Sequence, residues 1–160
     1  MKASRIALAL GALLFWSGLA AAQPASIPYR GHAPGSTSET YHRLKRYFSD
    51  AATSQFQLVS ADERARTIVV KRDAIDTENW NAWAYCKLSP EHLLDTLRDA
   101  ATTVDVKIEP SPHHTSFVVV KADFEATYGL GSSQTTTQCI SKGVLENNIL
   151  VAAGAKPEPD

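Results

Sequence analysis

Only two cysteines, Cys86 and Cys139, occur in the chain, and the stretches around them limit how it can fold. Trp83-Ala-Tyr-Cys-Lys-Leu-Ser-Pro-Glu-His-Leu-Leu-Asp-Thr-Leu97 and Thr135-Thr-Thr-Gln-Cys-Ile-Ser-Lys-Gly-Val-Leu-Glu-Asn-Asn-Ile-Leu150 follow one plan. Each reads as a short strand carrying a cysteine, then a breaker, then a leucine-bearing amphipathic helix. Each cysteine has a leucine eleven residues on, Leu97 and Leu150, and this shared spacing predicts two copies of one unit. A disulfide requires Cα atoms about 4.4 to 6.8 Å apart, so bonding Cys86 to Cys139 would bring together strand ends far apart in sequence.

The compartment bears on whether that bond forms. Lys2 and Arg5, the apolar run Ile6 to Trp16 and the small residues Ala20-Ala21-Ala22 have the three-part pattern of a secretory signal peptide, residues 1–22. The apolar run is too short to span a bilayer as a helix, so it reads as an address with cleavage after Ala22. Position 23 is Gln, not the Cys a lipoprotein would need, and no membrane anchor is expected after cleavage. Removing Lys2 and Arg5 leaves 14 basic against 17 acidic residues, a net charge near −3, with no electrostatic footprint for nucleic acid or an anionic membrane. Two cysteines in an exported chain are expected to pair, because an oxidising compartment forms and keeps the bond.

Residues 23–35 hold three prolines and two glycines and read as a flexible leader that buries too little to offset its ordering entropy. Residues 36–153 read as a single α+β domain. Ser36-Thr-Ser-Glu39 has capping-box spacing, and Tyr41, Leu44, Phe48, Ala51 and Ala52 recur at helical period. Arg43, Lys45 and Arg46 fall mostly off that stripe and read as a solvated face. Phe56 to Lys71 reads as a hairpin. A third strand is expected next, with Trp80, Ala82, Ala84, Cys86 and Leu88 on one face and Asn81, Trp83, Tyr85 and Lys87 on the other.

Ser89-Pro90 signals a helix start, with Leu93, Leu94, Leu97 and Ala101 as its buried face. Val104, Val106 and Ile108 alternate with Asp105, Lys107 and Glu109 as a half-buried strand. A long strand follows from Phe117 to Tyr128, with Val118, Val120, Ala122, Phe124, Ala126 and Tyr128 on one face. Gly129 to Ser133 is expected to turn into the last strand, where Thr135, Thr137, Cys139 and Ser141 share a face. Gly143 ends it, Val144 to Ala153 forms a closing helix, and residues 154–160 read as a disordered tail. The expected fold class is α+β, in the order α-βββ-α-βββ-α, with helices on one face of an antiparallel sheet and an internal pseudo-twofold.

The closing stretch, a strand followed by Cys-x-Ser-x-Gly-x-Leu-Glu-x-x-Ile from Cys139 to Ile149, resembles the C-terminal end of small exported proteins and lipoproteins of uncharacterised function in Gram-negative bacteria. The resemblance covers the chain from Phe117 onward. It implies an envelope location and no catalytic residue.

No constellation for chemistry emerges. His32, His42 and His92 are scattered, and His113-His114 lies in a Pro-flanked turn, so no metal is expected. Asp73, Asp76, Glu78 and Asn79 offer oxygen ligands but miss EF-hand spacing and its central glycine. There is no Gly-x-Ser-x-Gly elbow, bonded cysteines cannot act as nucleophiles, and Asp123 with Glu125 reads as a polar strand face. No cofactor is expected.

The least ordinary feature is Trp80, Trp83 and Tyr85 within one short stretch. With Trp83 and Tyr85 on the face away from Cys86, they form a candidate interaction surface, since aromatics with a polar handle bury large area at low entropy cost. The expected function is a non-enzymatic, exported periplasmic or secreted protein that binds another envelope protein. The alternative is a small extracytoplasmic hydrolase or enzyme inhibitor, marked by a pocket holding His92, His113 or Asp123 beside a hydroxyl.

Overall fold

A computed structural model describes residues 26–50, 55–88, 95–130 and 133–157. In chain order the elements are β1 (Tyr29–Pro34), α1 (Thr37–Ser49), β2 (Gln57–Asp62), β3 (Thr67–Arg72), α2 (Thr77–Trp83), β4 (Ala84–Tyr85), β5 (Leu97–Ser111), β6 (Thr115–Leu130), β7 (Ser133–Ser141), α3 (Val144–Ala152) and β8 (Lys156–Pro157). The strands pair antiparallel in the order β2-β3-β5-β6-β1-β8, with β7 also on β6 and β4 on β7.

The long β5–β6 ribbon is the spine. On its inner face Val104, Val106, Ile108, Val118, Val120, Ala122, Phe124 and Ala126 are buried, while Asp105, Lys107 and Glu125 between them are exposed. This period-two alternation was legible from residue order alone, because successive side chains leave a strand on opposite faces. One edge of β6 carries two strands end to end: its first part pairs with β1 and its second with β7. Its other edge pairs with β5 from Ser111↔Thr115 to Leu97↔Tyr128.

Helix α1 starts as its residues dictate. The Glu39 amide donates to Ser36 Oγ at 3.3 Å, and the Ser36 amide donates to Glu39 Oε2 at 2.7 Å. Both arms of the capping box satisfy donors that the first turn leaves open. Tyr41, Leu44 and Phe48 face the core as the periodicity predicts; Ala51 and Ala52 lie outside the described residues. Arg43 has a structural use that composition did not reveal. Its Nη1 donates to the carbonyl of Ala153, at the C-terminus of α3, where a cation meets unpaired carbonyls and the negative end of the helix dipole.

Several expectations are corrected. Tyr29–Pro34, expected within the flexible leader, forms β1, because the edge of β6 supplies ladder partners that a composition argument cannot count. Lys156–Pro157, expected in the disordered tail, pairs with Gly31 and His32. Residues 1–22 lie outside the described residues, and so do 89–94, which include the expected helix start at Ser89-Pro90.

Leu97 to Ala101, expected at the end of that helix, belong to β5. Their leucine spacing is overridden by the β-branched run that follows and by pairing with β6. The eleven-residue spacing is therefore not a repeated unit: Leu97 is in a strand, Leu150 in a helix, and β4 has 2 residues where β7 has 9. The pseudo-twofold and the order α-βββ-α-βββ-α do not occur. Helices α1 and α3 pack on the sheet and against each other, but α2 lies against α3 and β4, so the three helices do not form one layer on one face.

The third expected strand is mostly α2. Asp76 caps it, its Oδ1 accepting from the Asn79 amide at 2.9 Å. Trp80 and Trp83 are three residues apart, which sets them on opposite faces of a strand but on one side of a helix. Helix formation thus turns both indoles inward, Trp80 edge-on to Phe124 at 5.8 Å and Trp83 stacked on Phe56 at 6.3 Å.

Gly143 ends β7 and precedes α3 with φ +77°, and a Cβ there would lie 2.3 Å from the Tyr29 hydroxyl. Gly143→Ala is expected to cost about 2 kcal/mol, combining the left-handed penalty with displacement of a β1 side chain. Urea denaturation checks this; a variant within experimental error of the native chain would show that Tyr29 yields freely.

Candidate binding cleft

Three helices and the hairpin leave a cleft of about 250 Å³ lined by Tyr47, Gln55, Phe56, Arg72, Asn79, Trp83, Leu145 and Asn148. Tyr47 comes from the last turn of α1, Arg72 from the end of β3, Asn79 and Trp83 from α2, and Leu145 and Asn148 from α3. Its aromatic lining is Tyr47, Phe56 and Trp83, with Phe56 stacked on Trp83 and supported edge-on by the buried Phe48 at 5.9 Å. Burial pushes the Tyr47 phenol above its ordinary range, so it stays un-ionised at neutral pH.

Arg72 supplies the charge. Its side chain is 12% exposed, its guanidinium carbon lies 5.0 Å from the Trp83 ring centre, and Nη2 stands 3.6 Å from Asp76 Oδ2. Asp76 is committed elsewhere. Its carboxyl is held below the usual carboxylate range chiefly by the Asn79 amide and then the Asn79 side chain, with Arg72 a lesser contributor. The guanidinium is therefore oriented by an aromatic face and a long ion pair. Its five donors are not consumed by that pair. Gln55 and Asn148, both exposed, add side-chain amides to the lining.

The two residues expected to share an aromatic surface are separated. Trp83 is 8% exposed and lines the cleft, whereas Tyr85 is 58% exposed on β4, opposite the exposed Ile140 of β7. Arg72 and Asn148 were not singled out as site residues, and Asn79 was weighed only as an oxygen ligand in the loop with Asp73, Asp76 and Glu78. Arg72 reads as a strand end and Asn148 as a polar helix position, and only the packing of α3 on α2 brings them together.

Cys86 and Cys139 form a disulfide, with Cα atoms 4.3 Å apart. It joins the chain just after β4 to β7 and so holds the end of α2 beside the sheet. The residues that carry the C-terminal resemblance have packing roles: Ser141 Oγ accepts from the Gly143 amide at 2.9 Å, and Leu145, Glu146 and Ile149 are buried.

The other candidates do not converge. Asp123 Oδ1 accepts from Ser26 Oγ at 2.7 Å and its Oδ2 from Lys121 Nζ at 2.9 Å, while Glu125 accepts from Gln138 at 3.0 Å. His113 and His114 occupy the β5–β6 turn with φ of 62° and 55°. Eight strand residues, Thr115 to Ala122, lie between the turn holding His113 and Asp123, roughly 26 Å at the strand rise, so the two do not share a pocket. His92 lies outside the described residues. Asp73 pairs with Lys71 at 2.8 Å, and Asp76 caps α2. Among the described residues no group of three or more His, Cys, Asp or Glu could hold a metal, and no helix is long and apolar enough to cross a membrane.

No protein-family model matches the chain, and no characterised protein matches it. Among solved structures, a DUF4468 family protein from Bacteroides ovatus is similar at 11% identity and a TM-score of 0.37, over 71% of this chain and 60% of that one. The chain thus spans about 60% of the length of that protein, and at this similarity no activity transfers.

Proposed function

We propose that the protein is a non-enzymatic, extracytoplasmic binding module whose recognition site is the Arg72–Trp83 cleft. The observation that carries this is the cleft itself: an aromatic wall next to a guanidinium already oriented by Trp83 and Asp76. Small-molecule sites typically combine such apolar walls with a few placed polar groups. Export is supported by the signal-like residues 1–22 and by the Cys86–Cys139 bond, which persists in oxidising compartments. The natural occupant in this setting is a group displayed by another envelope component.

Two measurements test this. Cell fractionation with N-terminal sequencing should find a periplasmic or secreted chain beginning at Gln23, and a cytoplasmic chain that retains Met1 would overturn the export half. For the site, amide and indole NMR spectra of the mature protein, titrated with small neutral, cationic and anionic aromatics, should show shifts at Trp83, Asn79 and Asn148. Shifts confined to Tyr85 and Ile140 would move recognition to the β4–β7 surface.

A further inference from the structure

We infer that the cleft recognises a carboxylate attached to a small planar or apolar body; this rests on the cleft being the binding site. Among the described residues, the lining includes one cation, Arg72, and no acidic group. Asp76, which pairs with Arg72, spends one oxygen on the Asn79 amide at 2.9 Å and accepts the Asn79 side-chain amide on the other at 2.6 Å. It reaches Arg72 only at 3.6 Å, beyond ordinary hydrogen-bond length. A guanidinium in this state retains the forked donors that match a carboxylate, and charge-assisted pairs of that kind are the stronger hydrogen bonds.

The surrounding groups fit the same occupant. Gln55 and Asn148, both exposed, line the cleft with side-chain amides that can donate to a ligand. Phe56 and Trp83 provide an apolar wall for the body of the ligand. A volume of about 250 Å³ holds a single ring or one amino-acid side chain with its carboxylate. For a cationic ligand the one formal charge among the described lining residues is that of Arg72, which repels it. A neutral one leaves the guanidinium desolvated without a new partner, a loss that polar sites penalise.

Benzoate, benzamide and benzylamine share one ring and differ in charge, so they serve as probes of the native mature protein by NMR titration. Benzoate should shift Trp83 and Asn148 resonances and bind at least about tenfold more tightly than benzamide, the scale of one charge-assisted hydrogen bond. Benzylamine should not bind. Arg72→Gln should abolish the preference for benzoate, and Arg72→Lys should retain part of it, with circular dichroism confirming that both variants fold. Equal affinity for benzoate and benzamide, or a preference that survives Arg72→Gln, would overturn the carboxylate assignment while leaving the cleft as a site. No shift in the cleft with any of the three would overturn both.

Discussion

Breaking the Cys86–Cys139 bond, by reduction or by Cys86→Ser with Cys139→Ser, is expected to lower stability by about 4 kcal/mol, the loop-closure entropy the chain-entropy model assigns to a loop of this length. The bonded residues are 53 apart in sequence. The loss is a large share of the roughly 5 to 15 kcal/mol typical of a domain. At a urea slope of about 2 kcal/mol per molar it moves the midpoint by roughly 2 M. The damage should be felt first near the bond. Only Ala84 and Tyr85 hold β4 on β7, and the Lys142 amide donates to the Trp83 carbonyl at 2.8 Å just beyond. Hydrogen exchange at Lys142 should therefore accelerate on reduction more than exchange in the β5–β6 ribbon. Because Trp83 lines the cleft, benzoate affinity should weaken in parallel. Two alkylatable thiols in the untreated protein, or an unchanged midpoint after reduction, would refute the structural role of the bond.

Glu146→Gln is expected to stabilise the protein at neutral and alkaline pH by about 1 to 3 kcal/mol, because glutamine removes the cost of ionising a buried carboxyl while keeping its shape. Glu146 lies in the first turn of α3 and is 0% exposed, and neither carboxyl oxygen has a hydrogen bond of ordinary geometry. Burial raises its pKa; the Ser141 hydroxyl and the residue's own backbone amide offset part of that rise. A carboxyl whose folded pKa lies above the unfolded value, about 4.3, favours the fold in its protonated form. Its contribution is complete below that unfolded value and is lost as pH rises through the folded pKa. Glutamine keeps the shape without the titration. The native and Glu146→Gln denaturation midpoints should converge near pH 4 and separate above it, the variant being the more stable. Curves that stay parallel from pH 4 to 8 would show that the carboxyl is solvated or partnered in solution.

Where local chemistry and sheet periodicity agree, the fold was legible from residue order. The Ser36–Glu39 box, the alternation along Val104–Ile108 and Val118–Ala126, the hairpin before Arg72 and the break at Gly143 all fall where their side chains place them. The misreadings share one cause. A tryptophan-rich stretch looks like strand by propensity, but the Asp76 cap and the chance to bury Trp80 and Trp83 together favour helix. Leucines at helical spacing in 93–101 are outweighed at their described end by hydrogen bonds to β6. The cleft was illegible because its polar residues come from β3, α2 and α3 and the position before β2, none adjacent in sequence.

Residue order by itself determined which faces of α1, β5 and β6 are apolar, where α1 and α3 begin and where β7 ends, and that the two cysteines would pair. Those properties depend on neighbours within a few residues, through capping, side-chain period and backbone freedom. Tertiary structure alone decided that Tyr29–Pro34 and Lys156–Pro157 become strands, because their hydrogen-bond partners are supplied by distant segments. It also decided that Trp83 turns inward while Tyr85 stays in solvent, and that Arg72 meets Trp83 beside Asn148. Each of these depends on which surfaces remain to be covered once the β5–β6 ribbon has formed, a quantity that no local window of residues contains.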